Sequence, residues 1–335
     1  MQLAYRGRTG RKHCLATFAL ASIAAALCWP LAVQAQGTYP SKPVTLVVPQ
    51  TAGGLVDNFT RSMASYLGTR MGQPFVVENR TGASQAIGAQ YVARAAPDGY
   101  TLFVAAQSVM VLNVVASKSV PYDPVRDFQP VSLLFKTPFY LVTNNKLPVH
   151  SIQDLIALAK QSPGKLTYAS TGRGSGHHFA AEMFKMRTGT NLLHIPYKGS
   201  APAMTDLQGG QVDVMFEGGA STLPLVKAGK IRALGSTGVK RSEAAPDLPA
   251  IDEVVPGYDV SIWVGVFAPA GTPRAVVDRI NSEVAGYLKL ASTHEQGKAV
   301  GIEVGGSTPE ELGDMLKKQL PEYREVVKQA GIEPE

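Results

Sequence analysis

Residues 44–57, VTLVVPQTAGGLVD, constrain the chain most. Val44, Thr45, Leu46, Val47 and Val48 make a short β-branched and apolar run, the composition of a strand covered on both faces. Pro49 and then Ala52-Gly53-Gly54 break that run, and Val56, Phe59, Met63 and Leu67 follow at helical spacing. A strand that opens through a glycine turn into a helix leaves backbone N–H groups aimed outward at the positive end of the helix dipole. Such a terminus holds an anion without any charged side chain. The turn therefore predicts half of an anion-binding site.

The same alternation runs along the chain. Strand-like runs at 44–48, 74–78 and 101–105 are separated by helical patterns at 56–67 and 87–96, which specifies a parallel sheet with crossover helices. Two strand-like stretches, 131–134 and 139–143, then flank Lys136-Thr137-Pro138 with almost no turn between them, as expected of a chain passing from one sheet to another. The alternation restarts with a helix at 151–160 capped by Ser151, strands at 166–169, 192–196, 212–216 and 231–234, and helices at 178–186, 201–207 and 223–228. A further strand at 262–268 crosses back, and helices follow at 274–288 and from the Thr308 cap onward. The order predicts two α/β lobes, 36–138 with 262–335 and 139–261, joined by two crossing strands. Ligands of open α/β sheets bind outside the carboxyl ends of the strands, so the cleft between the lobes is the expected site and the crossings its hinge.

At 335 residues the chain exceeds one ordinary core, in keeping with two lobes. Residues 1–35 differ in kind: Arg6, Arg8, Arg11 and Lys12 form a basic head, 15–27 an apolar stretch, and Val33-Gln34-Ala35 a small-residue cleavage site. This is the pattern of a secretory signal peptide, with a mature chain starting near Gln36. Cys28 in Ala25-Ala26-Leu27-Cys28 resembles a lipoprotein site less well than the later site resembles a cleavage point. Without the leader's four basic residues the formal charge falls from +6 to about +2, which removes the case for a nucleic-acid partner. Both cysteines, Cys14 and Cys28, lie in the leader, so the mature chain has no disulfide, thiol chemistry or cysteine–metal site. No later run approaches eighteen apolar residues, and a soluble exported protein is expected.

Motifs along the whole mature chain resemble one family. They include Tyr39-Pro40-Ser41-Lys42-Pro43, Ala52-Gly53-Gly54 with Asp57, Val77-Glu78-Asn79-Arg80, Ala96-Pro97-Asp98-Gly99-Tyr100 and Pro121-Tyr122-Asp123-Pro124. Further on come Ile195-Pro196-Tyr197-Lys198-Gly199, Gly209-Gly210-Gln211-Val212-Asp213 and Ala268-Pro269-Ala270-Gly271-Thr272-Pro273. The sequence resembles the Bug (Bordetella uptake gene) family, the extracytoplasmic solute receptors of tripartite tricarboxylate transporters. The resemblance implies an α/β type II periplasmic-binding-protein fold and a periplasmic, monomeric receptor. It implies capture of a small carboxylate in the interlobe cleft for delivery to the transporter's membrane subunits, with no enzyme activity, cofactor or metal.

Such receptors hold a carboxylate through backbone N–H groups, small hydroxyls and ordered waters. The matching positions here are Gln50, Thr51, Ala52, Gly53 and Gly54 in the first lobe, with Gln107 and Ser108 after the third strand and Asn113 beyond them. In the second lobe they are Ser170, Thr171, Gly172, Arg173, Gly174 and Ser175, with Gly199-Ser200 and Glu217 completing the cleft. Where relatives have a Ser/Thr-rich loop, this chain reads Gln107-Ser108-Val109-Met110-Val111-Leu112, and Arg173 replaces a small polar residue. These departures point to a ligand with an apolar body between two carboxylates, terephthalate being one that fits, with Arg173 as the clamp for the distal one.

Other readings compete at several of these residues. Asp57 suits a helix cap or an i, i+4 pair with Arg61 better than an anion site, because it would repel the anion. Arg173 could equally stand solvated on the rim. His177-His178 are adjacent and so point apart on a helix, with no third ligand nearby; capping or packing explains them better than a metal. Lys198 and Glu217 lack the partners of a Schiff-base lysine or a general acid. A sensor subunit is an alternative role on the same fold. A hydrolase built on Ser175 and His178 lacks both an oriented base and a Gly-x-Ser-x-Gly elbow.

Overall fold

The computed structural model describes residues 1–2 and 39–332. The basic head, the apolar stretch and the expected cleavage site at 33–35, with Cys14 and Cys28, lie outside the described residues. The chain divides into two units, Met1–Tyr39 and Pro40–Glu335, and all strands and helices below belong to the second.

β1 (Val44–Val48) lies between β2 (Phe75–Asn79) and β3 (Thr101–Ala106), parallel to both. Val44, Leu46, Val47 and Val48 are all fully buried, which is why the strand reads as a continuous apolar run. α1 (Leu55–Met71) follows the glycine turn, burying Val56, Phe59, Met63 and Leu67 as their spacing predicts. α2 (Ala86–Ala93) carries the chain from β2 to β3. β9 (Ser261–Pro269) then pairs antiparallel with β3.

The two strand stretches expected around Lys136-Thr137-Pro138 are one strand, β4 (Phe128–Thr143). From Phe128 to Pro138 it pairs with β9; from Phe139 to Thr143 it pairs instead with β7 (Val214–Gly218) and β8 (Arg232–Ser236). Pro138 sits where the partner changes and has no N–H to donate. Phe139 N–H donates to Thr237 Oγ1 (2.8 Å), and Val260 N–H to the Thr237 carbonyl, so both crossing segments are tied at one point. Beyond β7 come β5 (Thr167–Ser170) and β6 (Leu193–Pro196), parallel to each other.

The helices of the second half are α4 (Ile152–Gln161), α5 (Gly176–Thr188), α6 (Ser200–Gly209) and α7 (Gly219–Lys227). α7 begins four residues before the expected 223–228. A Cβ on Gly219 would stand 2.8 Å from the Tyr140 ring, so the helix can approach β4 only through a glycine, a residue that reads as a helix breaker. α8 (Arg274–Leu288) follows β9. α9 (Ala291–Ala299) and the short β10 (Glu303–Val304) are absent from the sequence reading, because Ser292-Thr293-His294-Glu295-Gln296 carries no apolar stripe.

α10 (Pro309–Gln329) closes the chain, with Thr308 and Glu311 forming the capping box expected of Thr308-Pro309-Glu310-Glu311. It packs on both halves. Gln319 accepts from Trp263 Nε1 on β9 (2.8 Å), while the Tyr323 ring lies 5.2 Å from Phe179 on α5 and Glu322 pairs with Arg187.

Candidate functional site

The turn after β1 is built around Asp57. Its carboxylate accepts from Gly53 N–H (2.8 Å), Arg61 Nε (2.9 Å) and Asn79 Nδ2 (2.9 Å), and it is 1% exposed. The Arg61 hydrogen bond outweighs burial, and with Gly53 and Asn79 it holds the carboxyl down at about 2. Gly53 takes a left-handed φ of 82°, and its carbonyl accepts from Asn58 Nδ2. Asn79 also donates to the Gln50 carbonyl. Thr51, Ala52, Gly53 and Gly54 are exposed, but the Gly53 amide is committed to Asp57; what the turn presents outward is the start of α1. Asp57 is thus the organiser of this turn, as its spacing from Arg61 predicts.

The loop after β3 differs from its expected role. Gln107 is buried, and its amide donates to Gln319 Oε1 (3.3 Å) and Tyr323 Oη (3.1 Å) on α10. Residues Ser108–Leu112 form a π-helix running into α3 (Asn113–Ala116), in which Val109, Met110 and Val111 are completely buried. Their apolar character belongs to the core, so it gives no ground for an apolar ligand body. Ser108 Oγ meets the Gln85 side-chain amide at 3.1 Å.

Ala83, Ser84 and Gln85, which no local sequence pattern singles out, have φ of 45°, 51° and 77°, three successive non-glycine residues in left-handed backbone. Each costs on the order of 1–3 kcal/mol and persists only where its surroundings hold it. Asn113 Nδ2 on the Ser84 carbonyl and Ser108 on Gln85 supply that restraint.

In the other half, the loop between β5 and α5 is held from beneath by aromatic rings. His178 and His194 stack at 4.2 Å, and Tyr168 stacks on His194 at 4.8 Å. Ser170 is buried with its hydroxyl 2.6 Å from His194 Nε2 and in contact with Gly172. Ser175 caps α5, accepting from His178 N–H and donating to the Gly172 carbonyl. Thr171 Oγ1 meets His177 Nδ1 (2.9 Å). The hydroxyls expected to meet an anion thus shape the loop itself. Gly172 and Gly174 supply its left-handed turns, at φ of 119° and 73°.

His178 Nδ1 accepts from Gly174 N–H (3.0 Å), so the ring is neutral there. Burial first, then His194, Arg173 and Lys185, push it down to about 3. This geometry uses His178 as an acceptor beneath the loop and Ser175 as a cap, leaving no nucleophile–base pair between their side chains. Among the described residues no group of three His, Cys, Asp or Glu could hold a metal.

Glu217, at the end of β7, is 5% exposed. Its Oε1 accepts from Gly218 N–H (2.7 Å), while Oε2 lies 3.4 Å from His177 Nε2 without an aligned hydrogen bond. Burial opposes its charge, yet His177, Ser200 and Gly218 together hold it below the ordinary carboxylate range.

The two halves face each other across a cleft of about 790 Å³. Ser84, Asn113, Ser117 and Lys118 line one side and Arg173 and Gly174 the other, with no Asp or Glu among its described lining residues. Of the residues predicted from sequence, the cleft brings together Arg173, Gly174 and Asn113. Gln50 to Gly54, Gln107, Ser108, Ser170, Thr171, Ser175 and Glu217 do not line it. Lys118 and Ser84 were missed: a lone lysine before a Ser-Val-Pro stretch and a serine in a Gly-Ala-Ser-Gln loop carry no local signal.

Two α/β lobes spanned by a partner-changing strand, facing across a polar cleft, define a solute-binding protein of the two-lobed periplasmic type. The chain belongs to the tripartite tricarboxylate transporter family of receptors, whose family model matches residues 59–332. BugT of Bordetella pertussis is 35% identical over 296 residues, covering 88% of this chain and 91% of that protein. The structure of R. palustris Rpa4515 with adipate shares 38% identity, covers 89% of this chain and 100% of that one, and superposes with a TM-score of 0.68. A TctC solute-binding protein from Polaromonas, solved with no ligand, is 27% identical, covers 87% and 100%, and reaches 0.79. The fold is therefore nearer in shape to that ligand-free relative than to the adipate-bound one, against the order of sequence identity. Receptors of this family bind small carboxylates in the periplasm.

Proposed function

We propose that this protein captures a small dicarboxylate between a first lobe of residues 36–138 and 262–335 and a second of 139–261. It then delivers the ligand to the membrane subunits of a tripartite tricarboxylate transporter. In this reading residues 1–35 are a cleaved export signal, the mature protein works in the periplasm as a monomer, and it performs no chemistry on its ligand. The observation that carries it is the cleft itself: Gly174 of the second-lobe turn and Arg173, whose guanidinium has no ion pair or hydrogen bond among the described residues, line it, and no described lining residue is acidic. The adipate found in Rpa4515 supports a diacid as the ligand class. The N–H groups at the starts of α1 and α5 are donors for a carboxylate once the lobes close. Gln50, Thr51, Ala52, Gly54 and Thr171 flank those helix starts and would meet the ligand beside them, with Gly174, whose N–H is taken by His178 Nδ1, and with Ser170, Ser175, Gln107 and Glu217 as supports behind them.

Because Val109, Met110 and Val111 are core residues, an aromatic guest such as terephthalate competes on equal terms with straight-chain diacids. A thermal-shift screen of succinate, adipate, terephthalate, citrate and hexanoate discriminates among them. A ligand at about 100 times its Kd adds about 2.7 kcal/mol to stability, a rise of several degrees in Tm. The diacids are expected to give that rise and hexanoate a smaller one. No shift with any acid removes the carboxylate reading.

A further inference from the structure

Lys118 and Arg173 belong to opposite lobes, and both line the same cleft. Both are exposed, and among the described residues neither makes an ion pair or a side-chain hydrogen bond. The lobes come close beside them: a Cβ on Gly174 would lie 3.9 Å from the Ala116 Cβ. Arg173 precedes that point of approach by one residue and Lys118 follows it by two. Between them, the strained Ser84 turn is tied to Asn113, giving the cleft a fixed polar wall on the first-lobe side.

Two cations that line one cleft and have no partner among the described residues repel each other, the more strongly the nearer they stand. A guest with one carboxylate neutralises one of them and leaves the other facing the partner lobe. A guest with two separated carboxylates neutralises both. We infer that Lys118 and Arg173 form a two-sided clamp, one cation per lobe, that selects a dianionic ligand and couples its second charge to lobe closure. This rests on the carboxylate reading of the cleft and adds to it a residue, Lys118, and a rule of selection by charge number. Arg173 suits a bidentate grip on one carboxylate, whereas Lys118 acts as a point charge on the other.

The test is calorimetry on the purified protein with straight-chain diacids of four to eight carbons and with hexanoate, at low and at physiological salt. The unsubstituted protein is expected to prefer its best diacid over hexanoate, with a preference that shrinks as salt rises. Lys118→Gln is expected to lower affinity for that diacid about tenfold, the loss of one charge-assisted contact, and to leave hexanoate within twofold. Arg173→Gln lowers diacid affinity by at least as much, and Lys118→Arg keeps most of it. Both positions are exposed, so an unchanged Tm without ligand shows that the variants fold. If Lys118→Gln keeps the full preference for the diacid, or weakens both acids equally, the clamp is wrong while the carboxylate site stands. If the unsubstituted protein binds none of the acids, the site itself is wrong and the clamp falls with it.

Discussion

Asp57 shows how much one side chain can fix. It lies within the first turn of α1, where a carboxylate suits the helix dipole, and three donors from three parts of the lobe converge on it. Its carboxyl is held at about 2 in the fold against an ordinary 3.8. That depression contributes stability in full above the ordinary value, and the contribution is lost as pH falls from about 4 through 2. Its worth is about 2 kcal/mol. Asp57→Asn turns an amide hydrogen toward donors that need an acceptor and removes the charge facing Arg61. The expected cost is about 2–4 kcal/mol at neutral pH, read from the urea midpoint; a variant within 0.5 kcal/mol of the parent would mean that the turn is held elsewhere. This pairing was legible in the sequence because Arg61 stands four residues on. The role of Gln107 was not. Its partners, Gln319 and Tyr323, lie more than two hundred residues away on α10, and nothing near Gln107 marks it as a buried donor rather than a ligand contact.

At the scale of elements, β1 and its turn could be read ahead because local composition and burial agree. The Ala83–Gln85 turn could not, because its left-handed backbone is imposed by Asn113 and Ser108 rather than by its own residues. The loop between β5 and α5 lies between these cases: its glycines and serines announce a turn, whereas the ring stack beneath it forms only when β6 brings His194 against His178. That stack makes the loop sensitive to acid. His178 is held at about 3 and His194 below its ordinary value, burial leading in both. A histidine depressed in the fold contributes stability that is complete above about 6.5 and is lost as pH falls toward the folded value, because the unfolded chain takes up the proton first. Facing the pair are Glu182, Lys185, Tyr168 and Arg173; Glu182 alone favours protonation, and Lys185 already holds it at 2.7 Å. The urea-derived stability is therefore expected to fall by about 1.4 kcal/mol per pH unit for each proton taken up, between pH 6.5 and 5. Asp57 and Glu217, both depressed, act only below that window. Glu303, raised by burial, pulls the other way, so the His178→Gln variant isolates the effect. It should be less stable at pH 7 and flatter with pH; an unchanged slope would assign the acid sensitivity to other groups.

For the whole molecule, what matters is that both lobes are tied at β4, β9 and α10. β4 changes partners at Pro138–Phe139, and Thr237 accepts from both crossing segments, so rotation about that point moves the second sheet while leaving each sheet's own ladder intact. Trp263 lies opposite Lys136, two residues before the change of partner. It is fully buried, its indole donates to Gln319 on α10, and it is the only tryptophan of residues 39–332. α10 also carries Tyr323 against Phe179 of the second half. Closure that rotates α5 must therefore shift α10, and with it the indole's hydrogen-bond partner. Saturating a diacid that binds by calorimetry should change the tryptophan emission in step with occupancy and reduce the radius of gyration in small-angle scattering. Trp263→Phe should abolish the optical change and keep the scattering change. Binding that leaves both signals unmoved would mean a rigid cleft, and the greater likeness in shape to the ligand-free Polaromonas receptor would then reflect lobe geometry fixed by sequence rather than an open state awaiting its guest.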